Sequence, residues 1–135
     1  MTVIDASTLA KYLLREENWK EVEDYLSKTV YSIDHVIKEI ANAIWRHSII
    51  RGYISKEMAF TIYSHFLKLV DAGVIIIESQ EKYIDQAFRI ALDNNITVYD
   101  ALYISQALKY GKLLTSDYEQ ASIARKLGVE TIFIL

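Results

Sequence analysis

Apolar residues are distributed along this chain in two alternating patterns. Short unbroken runs such as Val74-Ile75-Ile76-Ile77 and Leu113-Leu114 are too short for independent helices and rich in residues that favour strands. Between them, apolar positions recur at helical spacing, with charged residues on the remaining positions. The pattern predicts strands at residues 2–4, 29–32, 74–77, 113–115 and 129–134, and helices at 8–15, 18–27, 35–51, 56–71, 84–93, 99–110 and 118–127. Gly52, Gly73, Gly111 and Gly128 each follow a helix-like segment, and the last three lead into strand-like runs. Strands alternating with helices imply crossover connections and a parallel sheet, so the fold class is α/β. At 135 residues the chain is expected to form one domain, spanning 1–135, with a real core.

Composition narrows the function classes. The chain is 52% hydrophobic and 24% charged, an ordinary globular balance. It has no cysteine, which removes disulfide frameworks, thiolate metal sites and thiol nucleophiles. Apolar runs fall far short of the roughly 20 residues that a membrane span requires, and no signal-type segment opens the chain, so a cytoplasmic location is expected. A glycine-rich phosphate loop and a Gly-x-Ser-x-Gly elbow are both missing. His35, His47 and His65 lack metal-ligand spacing and read as surface or boundary residues. The formal net charge of -3 does not suggest a basic nucleic-acid binder. It does not forbid a polyanionic substrate either, because bound metal ions supply local positive charge.

Four acids stand out by position. Asp5 follows the first strand and Asp117 the fourth, Glu39 lies one turn into the helix after the second strand, and Asp100 opens the helix before the fourth. In open α/β sheets ligands gather beyond the carboxyl ends of the strands, where all four can reach. At roughly 100° per residue, Asp100 lies on the side of its helix that carries Ile104, Ala107 and Leu108, where a carboxylate needs a partner or a cation. Glu39 borders the stripe of Val36, Ile37, Ile40 and Ile44, with Asn42 and Arg46 roughly 60° and 20° away on the same side. Each acid taken singly also has a local reading. Asp5 fits a turn ahead of Ser7, a natural N-cap; Glu39 fits a solvated helix face; Asp100 fits a capping box with Thr97; Asp117 fits another with Gln120. Four independent caps have no reason to share one end of a sheet, and the joint reading is a single acidic site.

Carboxylates about 5 Å apart repel by roughly 3 kcal/mol at an effective dielectric near 20. A hard, oxygen-seeking Mg2+ or Mn2+ ion offsets this, and can activate water for attack on a phosphodiester. Ser7, Thr115 and Ser116 are candidates to hold a water or a phosphate oxygen, or are simply cap and turn residues.

The segments Val3-Ile4-Asp5-Ala6-Ser7, Glu39-Ile40-Ala41-Asn42-Ala43, Val98-Tyr99-Asp100-Ala101-Leu102-Tyr103 and Leu114-Thr115-Ser116-Asp117 resemble the PIN-domain ribonucleases. The likeness spans nearly the whole chain, and the order of motifs resembles the VapC-type toxins of toxin-antitoxin pairs. The resemblance implies a three-layer α/β/α domain around a mostly parallel five-stranded sheet. It also implies a magnesium- or manganese-dependent endoribonuclease whose acidic tetrad is Asp5, Glu39, Asp100 and Asp117, with Ser7 and Asn42 as accessory polar positions. A homodimer and a small VapB-like antitoxin that inserts a basic side chain among the acids follow from the same likeness. By position, Lys11, Arg15, Lys38 and Arg46 are candidate phosphate contacts. The alternative function is a non-catalytic PIN-like interaction module whose acids serve only cation-dependent stability.

Overall fold

The computed structural model describes residues 1–135. Strands β1 (Thr2–Ile4), β2 (Val30–Ile33), β3 (Ile75–Glu78), β4 (Lys112–Thr115) and β5 (Glu130–Phe133) lie in the order β3-β2-β1-β4-β5. Every neighbouring pair is parallel, so the sheet expected to be mostly parallel is wholly so. Parallel pairing requires each strand to be reached by a crossover. Helices α1 (Ala6–Leu13) and α2 (Trp19–Leu26) connect β1 to β2, and α3 (Val36–Trp45) and α4 (Lys56–Asp71) connect β2 to β3. Helices α5 (Ile84–Asn94) and α6 (Val98–Tyr110) lead back to β4, and α7 (Tyr118–Lys126) joins β4 to β5. Val3 and Ile4 are buried, as are Leu113 and Leu114, so consecutive residues of both central strands are shielded and helices must cover both faces. The chain steps outward through β2 and β3, then returns to place β4 on the other side of β1. Strand order therefore reverses at the β1/β4 junction, and a crevice opens at their carboxyl ends.

Helix α6 carries the return crossover and packs on β1, β2 and β4 while α5 covers it. Residues 101–107 are consequently buried without interruption. The single-stripe expectation fails at two places for this reason: Leu108 faces outward, and Ser105 and Gln106 are interior. Both polar side chains donate to partners, although Gln106 Oε1 is buried without one. Ser105 Oγ donates to Gln86 Oε1, and Gln106 Nε2 donates to Ser32 O at 2.9 Å and Glu78 Oε1 at 3.0 Å, tying α6 to the ends of β2 and β3. Burying these groups unpaired would cost about 1–3 kcal/mol each.

Most helix ends shift from the sequence expectation by one or two residues, and two of the differences bear on the site. Helix α1 begins at Ala6, with Asp5 rather than Ser7 as N-cap, because the carboxylate accepts Thr8 N. The helix expected to run continuously over 35–51 ends at Trp45 and continues as a π-helical turn, Arg46–Ile50. In this wider turn Arg51 N donates to Arg46 O, while His47 O is left to accept Tyr53 N and the Ser48 hydroxyl holds Ile54 O. The helix end is thereby fastened to the loop that follows.

Gly111 ends α6 at φ +98° with β4 starting at the next residue, so no space remains to unwind the left-handed turn elsewhere. Gly111→Ala meets no steric neighbour, leaving backbone strain as its sole penalty. It should lower stability in urea titration by about 1–2 kcal/mol without altering the fold. No measurable loss would mean that the turn relaxes.

Candidate active site

The last β1/β4 pair is Ile4↔Leu114, which sets Asp5, just beyond β1, beside Thr115 at the end of β4. Asp5 is 2% exposed. Thr115 Oγ1 donates to its Oδ2 at 2.5 Å, while Ser7 Oγ and Thr8 N donate to Oδ1 at 2.8 and 3.0 Å. Burial nevertheless dominates and pushes the carboxyl up to about 6 despite these three donors. The Thr115 hydroxyl also accepts Asp117 N at 3.0 Å, and Ser7 Oγ accepts Ser116 N at 3.0 Å. Ser7 thus ties Asp5 to the Ser116 backbone, and Thr115 bridges Asp5 and Asp117. Ser116 Oγ lies 3.2 Å from Thr8 Oγ1.

Asp117 Oδ1 caps α7 by accepting Gln120 N at 3.0 Å, and no protein group donates to Oδ2. Asp100 sits in the first turn of α6, where Thr97 Oγ1 accepts its backbone N–H at 3.2 Å. It is half-buried, and burial, followed by the charges of Asp117 and Glu39, pushes it up to about 6. Glu39, on the first turn of α3, behaves oppositely. Burial raises it, but the contacts of His35 and Tyr103 outweigh burial and hold it below the usual carboxylate value. Tyr103 OH donates to Glu39 Oε1 at 2.6 Å, and His35 Nε2 lies 3.0 Å from the same oxygen. Burial, then the charges of Glu39, Asp5 and Asp100, drive the Tyr103 phenol far up, so it remains a neutral donor.

All four acids line one cleft of about 280 Å3, together with Ser7, Asn42, Arg46, Tyr103 and Gln120. Asp5 and Asp117 both cap helices and face this cleft, so a local capping role and a shared cleft are compatible at these two positions. No three of the acids and histidines are close enough to form a closed metal cage. The donors are all hard carboxylate oxygens, two of the acids are raised by burial, and Asp117 Oδ2 is free, a set that suits Mg2+ or Mn2+ held by one or two carboxylates plus water.

His35 corrects the sequence reading. At 8% exposed it is buried rather than a surface or boundary residue, and its i,i+4 spacing to Glu39 was the available signal. Tyr103 gave no such signal, being 64 residues from its partner. Gln120, whose Nε2 is buried and unpartnered, was read only as a capping partner.

The family profile described as PIN domain matches residues 2–126. Over 122 residues the chain is 32% identical to Ribonuclease VapC3 of Pyrobaculum aerophilum, covering 88% of this chain and 91% of the relative. The crystal structure of PAE2754 from Pyrobaculum aerophilum superposes with a TM-score of 0.66 at 23% identity, over 97% of this chain and 92% of that one, a likeness of fold.

Because Asp5 and Asp100 bind protons more tightly folded than unfolded, metal-free protein should lose stability as pH rises from about 4 through 6. For fully buried Asp5 the loss is up to about 3 kcal/mol. Thermal melts in chelator should give a higher Tm at pH 5 than at pH 7, Mg2+ or Mn2+ should recover the Tm lost at pH 7 and so narrow the difference, and Asp5→Asn should shrink both effects. A melt insensitive to pH and to divalent ions would contradict this account.

Proposed function

Since this chain belongs to the PIN-domain family, we propose that it is a magnesium- or manganese-dependent endoribonuclease acting as the toxin of a toxin-antitoxin pair. The observation that carries the reading is the convergence of Asp5, Glu39, Asp100 and Asp117, from four separate segments, on one cleft at the strand-order reversal. Two of these acids are held at about 6, so at neutral pH they are charged against the preference of their surroundings and favour a cation.

In this mechanism one or two of Asp5, Glu39, Asp100 and Asp117, with waters, would hold the ion, and the remaining acids would add to the negative potential that draws it. When bound, the ion contributes Lewis-acid charge to the phosphodiester and makes water a better nucleophile at neutral pH. The remaining chemistry lies in the protein's own groups. Thr115 fixes Asp5 through its hydroxyl proton and Asp117 through its lone pair, so two acids from different loops share one anchor. Tyr103 and His35 orient Glu39 and keep it ionised. Arg46, exposed on the cleft wall, is placed to offset charge on a phosphate. Asn42 adds a neutral hydrogen-bonding group to the same wall.

A protein partner is supported by a different feature. An apolar groove of about 370 Å3 lies where α3 and its π turn meet α4, lined by Ile44, Trp45, Ile49, Phe60 and Tyr63. Trp45 and Phe60 are 50% and 75% exposed. In this reading a small antitoxin covers that groove and continues around α3 to direct a basic side chain into the acidic cleft.

The primary test is cleavage of a mixed RNA panel with and without Mg2+ or Mn2+. Ion-dependent cleavage that disappears in folded Asp5→Asn and Asp100→Asn variants is expected. Tyr103→Phe, which leaves Glu39 without its donor, should lower activity about 10- to 100-fold. Wild type inert in every ion would overturn the ribonuclease reading and leave the interaction-module alternative. For the partner, Phe60→Asp should weaken inhibition by the small protein encoded beside this chain. Undiminished inhibition would remove the groove from that contact.

A further inference from the structure

The acidic cleft continues into a second groove of about 310 Å3 with the opposite charge. Lys11, Arg46, His47 and Arg51 line it, with Glu16 as its one acid. Ser7, Ala10, Ala43 and Arg46 are shared between the two, so cleft and groove form one continuous trough. The chain as a whole carries 18 acidic residues against 15 lysines and arginines, and this concentration of cations beside the acids departs from that average. The cations are also free of acid partners. The ion pairs of the molecule involve His35, Lys82 and Lys112; Lys11 Nζ touches only Glu17 O, at 3.2 Å, and Arg46 and Arg51 contact no carboxylate. His47 Nδ1 is buried without a partner, its ring held edge-on by Tyr53 at 5.0 Å.

The π turn explains how the groove forms. In an α-helix, residues five apart are separated by roughly 500° of rotation, which leaves them about 140° apart around the axis. Closing the bond from Arg51 N to Arg46 O instead, in the wider i→i+5 turn, brings the two arginines round to the same side. Continuous α-helix over the same sequence would send Arg51 away from Arg46.

We propose that this groove binds the phosphate backbone of single-stranded RNA immediately to one side of the scissile bond, with Lys11, Arg46 and Arg51 as phosphate contacts. The proposal rests on the ribonuclease reading and adds an asymmetry to it: nucleotides are needed on the groove side of the cleavage point. A polyanion that spans both parts of the trough fits better than an acidic peptide. Its scissile phosphodiester occupies the acidic cleft with the cation, while its flanking phosphates, which bring no cation, meet fixed positive charge. Among the earlier candidates, Arg15 instead lies over the Trp19 ring, 3.8 Å from its centroid, and Lys38 lines a separate pocket beyond Glu39.

The test uses oligonucleotides trimmed from either end around one cleavage site, assayed at several salt concentrations with wild type, Arg51→Gln and Lys11→Gln. Each variant should raise KM and reduce the slope of log KM against log salt by roughly 0.7, the value for one phosphate contact on a single strand. Trimming one end should abolish the difference between variant and wild type, and trimming the other should not. If wild type cleaves RNA while both variants keep its KM and salt slope, the groove does not hold substrate and the inference fails alone. The same holds if the variants lose only the binding of an acidic protein. If wild type cleaves nothing, binding of a labelled oligonucleotide decides: binding weakened by Arg51→Gln retains a phosphate groove without nuclease activity, and no binding removes both.

Discussion

A carboxylate almost sealed from water is the constraint on which the acidic end of the sheet depends. Asp5 can occupy its position only because Thr115, Ser7 and Thr8 N surround it with donors, and Thr115 can reach it only because β1 and β4 are adjacent, parallel and in register. That adjacency in turn requires the return crossover through α6. The strand order, the buried helix and the capping of α1 all serve to hold one ionisable group where solvent cannot stabilise it. Three hydrogen bonds lessen the penalty without removing it, and the remainder favours binding a cation.

The contrast with Glu78 shows that this is a property of the site and not of acids at strand ends in general. Glu78 closes β3 and is also held within the protein, yet Tyr83, Gln106 and Lys82 more than offset its burial and bring it down to about 2. It is a satisfied brace between β3, α6 and the turn that follows β3. Asp5 and Asp100 are left raised, whereas Glu39 is kept ionised by a tyrosine and a histidine. Asp5 and Asp100, raised by burial, thus share one cleft with Glu39, which its partners hold low.

Much of this arrangement was legible in the sequence. The apolar runs and the glycines after helices marked the strands and their crossovers, because burial on both faces of a parallel strand leaves an unbroken apolar segment. The four acids were recognisable from their places at strand ends and first helical turns. What sequence periodicity missed depends on tertiary contact. Tyr103 reaches Glu39 across 64 residues, Ser105 and Gln106 are interior because α6 is covered on several sides, and Thr115 serves two aspartates through a single hydroxyl. The π turn was also invisible, since residues 46–50 follow α3 with no glycine or proline to interrupt the helical pattern.

That turn makes segment length, as much as residue identity, a determinant of charge distribution. A π turn is what one extra residue produces when an α-helix absorbs it without breaking. Shortening the segment between Arg46 and Arg51 by one residue would return it to the tighter ladder and rotate the last residues of the helix, Arg51 included, by roughly 100° about the axis, with the loop before α4 absorbing the change. Asp5, Glu39, Asp100 and Asp117 all lie outside that segment and would keep their positions. Insertions and deletions at the end of α3 can therefore redirect positive charge around the cleft while its acids stay fixed, so related chains with identical acids can differ in what they hold beside them.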